Sequence, residues 1–401
     1  MAMIPFLCPG GGSMPGFAMT PSLKDGSSLT LSNDPRDAPS RFHRSMPGYA
    51  RTPLIEAPDL ARRLEVGRVF VKNEQSRLGL PSFKILGSSW GIHRTLCDRL
   101  GLDPSISFGA LREAAGPLRD HVLTCATDGN HGRAVAHMAG LLGMRARIYV
   151  PLDVSASRAA AIEGEGAQVI RVFASYDDAV RYVARQAERD SREILVSDTS
   201  WPGYETVPRH VIDGYSTIFD EIDEQLAEAG LDPARAVDLV VVPTGVGAFA
   251  AAVGLRFGPR AATRVATVEP DSADCAHRSL AAGVPTTVKG PHHSVMAGLN
   301  CGELSLIAWP ILRATVDATI TVDDRAAREA MRIFAGCGIE AGESGAASLA
   351  GALLVCADQG SRAAAGLSRR STVLLLNTEG ASDPASYLSV MRRRGADALP
   401  A

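Results

Sequence analysis

The sequence has no cysteine motif, no strong charge excess and no long apolar run. Its seven cysteines are scattered and form no C-x-x-C pair, which argues against a disulfide framework or a zinc site and favours a reducing compartment. No segment reaches the roughly 18 consecutive apolar residues of a membrane helix. The formal net charge of -3 gives no electrostatic basis for binding nucleic acid or a membrane surface. We therefore expect a cytoplasmic protein that binds neither nucleic acid nor a membrane.

Aromatic residues and nucleotide-binding motifs are also scarce. Aromatic residues make up 5% of the chain, too few to suggest stacking platforms for single-stranded nucleic acid. No glycine turn reads G-x-G-x-x-G or carries a P-loop lysine, which weakens dinucleotide and nucleoside-triphosphate interpretations. The N-terminus lacks a basic start and is interrupted by proline and glycine, so we expect no secretory signal peptide. The length of 401 residues allows two lobes, each with its own core.

Strand-like and helix-like segments alternate along most of the chain. Residues 1 to about 45 are rich in Gly, Pro, Ser and Met without periodicity, which predicts an irregular N-terminal arm. Farther along, short apolar runs alternate with helical patterns such as His131–Leu142, Tyr176–Glu188 and His210–Ala229. This alternation predicts an α/β fold with a mostly parallel sheet. The predicted strands are Val69–Lys72, Val122–Ala126, Ala146–Val150, Gln168–Val172, Ile194–Val196, Leu239–Pro243, Arg264–Val268, Thr319–Val322 and Thr372–Leu376.

One lysine stands in an unusually apolar setting. In the stretch LGLPSFKILGSSWG, residues 78–91, Lys84 lies directly between Phe83 and Ile85. Lysine is rarely buried unless it pairs or reacts with another group. The alternative is a surface lysine whose aliphatic stem covers apolar neighbours.

Two glycine turns follow predicted strands, where ligands bind in parallel α/β sheets. TDGNHG follows Val122–Ala126, and Asp128 within it is either a site residue or a helix cap. TGVGAFAAAVG follows Leu239–Pro243 and could hold a phosphate monoester through backbone amides, or serve only as a tight packing turn. Polar groups also occur at Glu343, in GESGA, and at Thr378, in NTEG. A lysine in an apolar pocket and a phosphate turn without a lysine together match the needs of pyridoxal 5'-phosphate.

The motifs resemble those of a known family. SFKILG is similar to the cofactor-lysine segment of fold-type II pyridoxal-phosphate enzymes, which include serine and threonine dehydratases and tryptophan synthase β-subunits. The closer resemblance is to the diaminopropionate ammonia-lyases, and it covers roughly residues 42–390. That resemblance depends on TDGNHGR, SDTSWPGYETVP, VEPDSADC, MAGLNCGE, GESGA and NTEG.

The resemblance implies a fold, a domain organisation and site residues. The implied fold has two lobes, each built on an open, mostly parallel sheet flanked by helices, with the active site between them. A large cofactor-binding domain would comprise residues 1–86 and 178–401, and a small α/β domain would comprise residues 87–177. Lys84, Asp128 and Asp198 are the implied catalytic residues, with Lys84 as the Schiff-base residue. The implied cofactor contacts are Lys84, Asn130, Gly245, Val246, Gly247, Ala248, Glu343 and Thr378, with Asn130 at the ring hydroxyl, residues 245–248 at the phosphate and Thr378 at the ring nitrogen.

Two acidic residues favour a substrate that carries a second ammonium group. Relatives that dehydrate serine or threonine usually have Ser-Gly-Asn at the first turn, whereas this chain has Asp128-Gly129-Asn130. A second carboxylate, Asp198, follows the strand Ile194–Val196. Because opposite charges favour each other's ionised forms, both acids suit 2,3-diaminopropionate better than serine. The expected reaction is elimination of ammonia, giving pyruvate and ammonia, in a homodimer.

Other functions remain open at this point. The enzyme alternatives are a serine or threonine dehydratase and a synthase that replaces the β-substituent. A non-catalytic binding protein with the same fold is a further alternative. Two features depart from the family pattern and leave room for a specialised substrate. Asn73 stands where an acid is common, and the phosphate turn has alanines where relatives often have glycines.

Overall fold

The chain folds into two β-sheets with helices packed against both. A computed structural model describes residues 16–20, 38–173, 175–260 and 262–392. Its helices are α1 (Pro39–Arg44), α2 (Pro58–Leu64), α3 (Lys84–Leu100), α4 (Phe108–Ala114), α5 (Asn130–Leu142), α6 (Ala156–Glu163), α7 (Tyr176–Ala187), α8 (Thr206–Gly214), α9 (Ser216–Glu228), α10 (Ala248–Phe257), α11 (Cys275–Ala282), α12 (Ala308–Thr315), α13 (Asp324–Gly336), α14 (Glu343–Ala357), α15 (Gln359–Ala364) and α16 (Pro384–Arg392). None of these helices has both the length and the hydrophobicity needed to cross a membrane.

The two sheets differ in size and in the character of their edges. The seven-stranded sheet has the order β1-β10-β9-β8-β11-β3-β2, in which only the outer strands β1 and β2 pair antiparallel. The four-stranded sheet is parallel throughout, with the order β6-β5-β4-β7. The strands are β1 (Phe17–Met19), β2 (Leu54–Glu56), β3 (Arg68–Asn73), β4 (Val122–Ala126), β5 (Arg145–Pro151), β6 (Gln168–Val172), β7 (Glu193–Leu195), β8 (Leu239–Pro243), β9 (Arg264–Pro270), β10 (Ala318–Val322) and β11 (Thr372–Asn377).

The predicted α/β fold is confirmed, and so are all nine predicted strands, within one or two residues at their ends. The prediction of an irregular arm over residues 1–45 was wrong where the structure describes it. β1 pairs with β10 as an edge strand, and α1 begins at Pro39, a proline position that suits the first turn of a helix. Residues 1–15 and 21–37 of the predicted arm lie outside the described residues.

The predicted single helix His210–Ala229 is two helices that meet at Tyr215. The Tyr215 side chain is buried, and its ring packs where α8 crosses α3. The predicted boundary between the domains at residue 177 stays a prediction. The strand β7, beyond that boundary, pairs with β4 in the four-stranded sheet.

Two glycines allow α3, the helix that begins at Lys84, to pack closely against α8. A Cβ atom on Gly214 would lie 2.6 Å from the carbonyl oxygen of Leu86, and a Cβ atom on Gly87 would lie 2.6 Å from the ring of Tyr215. Such distances are far inside van der Waals contact, so a larger side chain at either position would push the helices apart. The contact fixes the helix that carries Lys84.

A buried ionic cluster connects β3 to α9 behind this region. Lys72 Nζ lies 2.7 Å from Glu221 Oε2, and Arg77 Nη1 lies 2.6 Å from Glu221 Oε1. Arg77 also pairs with Glu74, and the side chains of Lys72, Arg77 and Glu221 are 0% exposed. Two cations and two anions thus neutralise one another inside the protein, where an unpaired charge is strongly unfavourable.

Glu221→Ala is expected to lower the free energy of unfolding by about 3–5 kcal/mol, because it leaves Lys72 and Arg77 buried without their shared partner. Urea-induced unfolding monitored by circular dichroism measures the loss. Glu224→Ala is the matched control, since this carboxylate lies on the same helix but pairs with Arg44 and Arg51 at the surface. Its expected loss is about 1 kcal/mol or less. Equal losses in the two variants would contradict a stabilising role for the buried cluster.

Candidate active site

A cavity of about 70 Å³ collects loops that follow strands of both sheets. The carboxyl ends of strands in parallel α/β sheets meet at a common edge, so residues distant in sequence converge there. Nine of the ten predicted site residues line this cavity: Lys84, Asp128, Asn130, Asp198, Gly245, Val246, Gly247, Ala248 and Thr378.

Lys84 and Asp198 form an ion pair in the cavity. Lys84 Nζ lies 2.6 Å from Asp198 Oδ2, and the two side chains are 19% and 5% exposed. Burial lowers the pKa of Lys84, but the carboxylate of Asp198 outweighs this effect and holds that pKa above its usual range. Burial raises the pKa of Asp198, and the ammonium of Lys84 reverses this and holds it below its usual range. The alternative of a surface lysine covering apolar neighbours is therefore wrong.

His131 and Tyr176 surround the same carboxylate. His131 Nε2 lies 2.8 Å from the carbonyl oxygen of Val196, which makes it the donor nitrogen. The other ring nitrogen, Nδ1, lies 3.3 Å from Ser88 Oγ and 3.8 Å from Asp198 Oδ2. Burial lowers the pKa of His131, which favours a neutral ring. The hydroxyl of Tyr176 donates to Asp198 Oδ1 over 3.4 Å, so the two carboxylate oxygens of Asp198 accept from Tyr176 and from Lys84.

Asp128 lines the cavity and does not cap a helix. Helix α5 begins after Gly129, whose φ of 148° suits glycine, and no side chain caps this helix. The carbonyl oxygen of Asp128 accepts a hydrogen bond of 3.3 Å from Arg158. Burial and the neighbouring Asp153 raise the pKa of the Asp128 carboxyl well above its usual range, against the effect of Arg158. The alternative of a helix cap is therefore wrong.

The turn at residues 245–248 presents backbone amides at the start of α10. Gly247 has φ 91°, and a Cβ atom there would lie 3.0 Å from Leu312. Among the hydrogen bonds of the described residues, none has a donor in the backbone N–H groups of Gly245, Val246, Gly247 or Ala248. Unpartnered amides at the N-terminus of a ten-residue helix favour an anion at this place.

Asn130 and Thr378 approach the cavity from different sheets. The amide nitrogen Nδ2 of Asn130, at the start of α5, donates to Glu379 Oε2. Thr378 follows β11, and its carbonyl oxygen accepts from the backbone N–H of Phe83 over 3.2 Å. This hydrogen bond ties the end of β11 to the residue before Lys84.

Comparison with known proteins identifies the family. The family model described as "Pyridoxal-phosphate dependent enzyme" matches residues 46–379. The chain belongs to this family. It is 39% identical over 303 residues to the diaminopropionate ammonia-lyase of Salmonella typhimurium, covering 73% of this chain and 74% of that protein. It is 37% identical over 365 residues to the enzyme of the same name from Escherichia coli, covering 88% of this chain and 89% of that protein.

Solved structures agree with this family assignment. The crystal structure of Escherichia coli diaminopropionate ammonia-lyase in complex with D-serine matches with a TM-score of 0.83 and 32% identity, over 94% of this chain and 97% of that one. The same enzyme in complex with an aminoacrylate-PLP azomethine reaction intermediate gives the same TM-score of 0.83. Both the family and the fold-type II architecture predicted from the motifs are confirmed.

The residues of the cavity fit the cofactor of the pyridoxal-phosphate-dependent family. Lys84 supplies the amine that can react with an aldehyde. The unpartnered amides of residues 245–248 supply donors for a phosphate. A Cβ atom on Gly245 would lie 3.1 Å from Cys301 Sγ, so a larger side chain would disturb this turn. Asn130 and Thr378 add a donor and a hydroxyl from opposite sheets.

Gly247→Asp is expected to raise the dissociation constant of pyridoxal phosphate about fivefold or more. The variant places a carboxylate beside the phosphate donors, where two unit charges about 4 Å apart repel by roughly 1–4 kcal/mol. Equilibrium dialysis of the apoenzyme measures the constant. Gly283→Asp is the control, because Gly283 also has a positive φ, 71°, but no atom lies within 4 Å of its Cβ position. Unchanged affinity in a folded Gly247→Asp variant would place the phosphate elsewhere.

Glu343 is the predicted site residue that does not line the cavity. Its carboxylate accepts a hydrogen bond from the hydroxyl of Ser386. The neighbouring Ser344 does line the cavity, as do His131, Tyr176 and Glu379, which sequence reasoning did not assign to the site. His131 and Glu379 directly follow predicted residues within TDGNHG and NTEG, so their positions gave a usable signal. Tyr176 had none, because it begins a helix that is distant in sequence from the other motifs.

Proposed function

We propose that this protein eliminates ammonia from 2,3-diaminopropionate, giving pyruvate and two molecules of ammonia with the uptake of one water. The observation that supports this most strongly is the placement of Asp128 and Asp198 in one small cavity with Lys84. Two carboxylates can balance a substrate that carries two ammonium groups, whereas serine carries one. The named relatives carry the same activity in their names.

Asp198 binds the β-ammonium group of the substrate in this proposal. The ion pair with Lys84 supports the assignment, because it places Asp198 Oδ2 at hydrogen-bond distance from an ammonium. The hydroxyl of Tyr176 donates to the other carboxylate oxygen and keeps the group oriented. An ionised carboxylate at this position also stabilises the proton on the β-nitrogen, so that the nitrogen leaves as neutral ammonia.

Removal of the α-proton is the step that needs a base. Pyridoxal phosphate, when bound, withdraws electrons from the α-carbon and so acidifies this proton. Lys84 Nζ serves as the base on the face of the substrate that it occupies once the β-ammonium of the substrate has replaced it beside Asp198, because Asp198 is the group that raises its pKa. The Asp128 carboxylate serves as the base on the other face. Burial and the neighbouring Asp153 raise the pKa of Asp128, so its carboxylate is a stronger base than an exposed aspartate.

The remaining predicted residues that line the cavity hold the cofactor. The amides of residues 245–248 bind its phosphate, Asn130 donates to the ring hydroxyl, and Thr378 contacts the ring nitrogen. These roles agree with the placement of all these residues around one cavity.

The oligomeric state and compartment are part of the proposal. We infer a homodimer from the resemblance to the ammonia-lyase family, and light scattering after size-exclusion chromatography tests it. We infer a cytoplasmic location, which the six described cysteines support because all are free thiols.

A substrate panel tests the activity directly. Purified holoenzyme is assayed for pyruvate and ammonia with both enantiomers of diaminopropionate, both enantiomers of serine, and L-threonine. We expect the highest kcat/KM for diaminopropionate, with two ammonia released per pyruvate. A higher kcat/KM for serine or threonine would identify a dehydratase instead. Consumption of diaminopropionate without pyruvate, but with an added nucleophile incorporated, would identify a β-replacement synthase.

A further inference from the structure

Glu379 is a carboxylate in the cavity to which the proposed mechanism gives no role. It directly follows Thr378 at the end of β11 and is 2% exposed. Within the described residues, no lysine or arginine forms an ion pair with it. A buried carboxylate without a cation requires hydrogen-bond donors, and their identity indicates its function.

The donors to Glu379 come from both halves of the protein. Its Oε1 atom accepts from the backbone N–H of Ser344, in the first turn of α14, over 3.0 Å. Its Oε2 atom accepts from the hydroxyl of Ser382 over 3.1 Å and from Nδ2 of Asn130. The seven-stranded sheet side contributes Glu379 and Ser382, which follow β11, and Ser344, which lies in the helix before β11. Asn130 begins the helix that follows β4 of the four-stranded sheet. The carboxylate therefore joins the two halves across the site.

Two glycines of the GESGA motif make room for this arrangement. A Cβ atom on Gly342 would lie 2.8 Å from Glu379 Oε1, and one on Gly345 would lie 2.9 Å from the carbonyl oxygen of Glu379. The N–H of Gly342 also donates to that carbonyl oxygen over 3.0 Å. The start of α14 is thus shaped around Glu379, which explains a motif that the cofactor contacts alone do not explain.

A carboxylate partner determines the orientation of the Asn130 amide. An ionised carboxylate only accepts hydrogen bonds, so the NH₂ group of Asn130 must face Glu379 rather than its carbonyl oxygen. The NH₂ group has two N–H donors, and the bond to Glu379 occupies one of them. The second N–H remains available to a ligand. The charged carboxylate of Glu379 polarises the amide group and so strengthens this second N–H as a donor.

We propose that Glu379 is a positioning residue that fixes the amide of Asn130 for the cofactor and fastens the two halves of the site together. The inference deepens the proposed function and depends on it for the role of Asn130. It assigns to the glutamate of NTEG a structural task in cofactor binding rather than contact with the reacting atoms.

A double-mutant cycle tests the coupling between the two side chains. The variants are Glu379→Ala, Asn130→Ala and the double variant, and the measurement is the dissociation constant of pyridoxal phosphate for each apoenzyme. We expect each single variant to bind pyridoxal phosphate at least about tenfold more weakly than the wild type, because each loses a charge-assisted hydrogen bond. The double variant should bind no more than about threefold more weakly than the weaker single variant, because both changes remove the same contact.

Two further variants separate this role from general damage. Glu340→Ala is the matched control. Glu340 also accepts a hydrogen bond from the loop after β11, from the N–H of Ala381, but this contact lies at the exposed surface. This variant should bind the cofactor like the wild type. Glu379→Gln keeps the size of the side chain but has one acceptor oxygen for three donors, so it should also bind about tenfold more weakly. It replaces Glu379→Ala in the cycle if that variant does not fold.

The outcomes distinguish this inference from the proposed function. Multiplicative effects in the cycle, or wild-type affinity in both Glu379 variants, would overturn the positioning role even if diaminopropionate is the substrate. Wild-type protein that binds pyridoxal phosphate but does not release ammonia from diaminopropionate would overturn the proposed function, while the binding cycle would still decide the role of Glu379.

Discussion

Lys84→Ala is expected to lose at least about 10³-fold in turnover of diaminopropionate and to lose the covalent link to pyridoxal phosphate. The variant removes both the amine that attaches the cofactor and one of the two proposed bases, and a positioned base alone contributes roughly 10²–10⁴-fold. Borohydride reduction followed by peptide mass spectrometry locates the linked lysine in the wild type. Steady-state assays measure the loss of rate.

The chain offers a clear control for this variant because it has four lysines: Lys24, Lys72, Lys84 and Lys289. Lys289 is exposed, so Lys289→Ala should retain wild-type turnover and the covalent link. A Lys84→Ala protein that still forms a reducible lysine–cofactor link would show that another lysine serves the reaction.

Asp128→Asn is expected to reduce turnover of D-diaminopropionate about 10²-fold or more, and that of the L-isomer much less. The substitution nearly preserves shape but removes the carboxylate proposed as the base opposite Lys84. Steady-state rates with the pure enantiomers measure the ratio. Asp153→Asn is the control, because this exposed acid lies near Asp128 and changes the local charge equally. It should change both rates by about twofold or less.

Two results would contradict the assignment of Asp128. Equal losses with both enantiomers would mean that Asp128 binds the substrate and does not take the proton. Strict activity on one enantiomer in the wild type would end the hypothesis of two bases.

The sequence predicts the parallel strands well because their burial leaves a simple pattern. β8, for example, is buried along its whole length and reads LVVVP, so its apolar run and the glycine turn after it mark both ends. β1 and β2 are three-residue edge strands with partial exposure, and runs this short carry no period. The break between α8 and α9 at Tyr215 comes from packing against α3. Helix propensity reflects only neighbours along the chain, so it does not reveal this tertiary contact.

The sequence predicts those residues of the candidate site that lie within short sequence motifs. Lys84, Asp128 and Asn130 lie in short segments with a recognisable chemistry, and they line one cavity. Tyr176 reaches Asp198 only through the pairing order of the four-stranded sheet, which no local pattern reveals. Glu343 is the converse case: it has a suitable residue type in a suitable motif, but it does not line the cavity and its carboxylate contacts Ser386.

Because residues from both sheets line the cavity, pyridoxal phosphate bound there would also stabilise the folded protein. A ligand that binds only the folded chain stabilises it by RT ln(1 + [L]/Kd), about 2.7 kcal/mol when its concentration is a hundred times Kd. A shift of this size changes the unfolded fraction, and with it the degradation rate, severalfold or more. The amount of this enzyme in a cell would then follow the supply of pyridoxal phosphate as well as the rate of its synthesis.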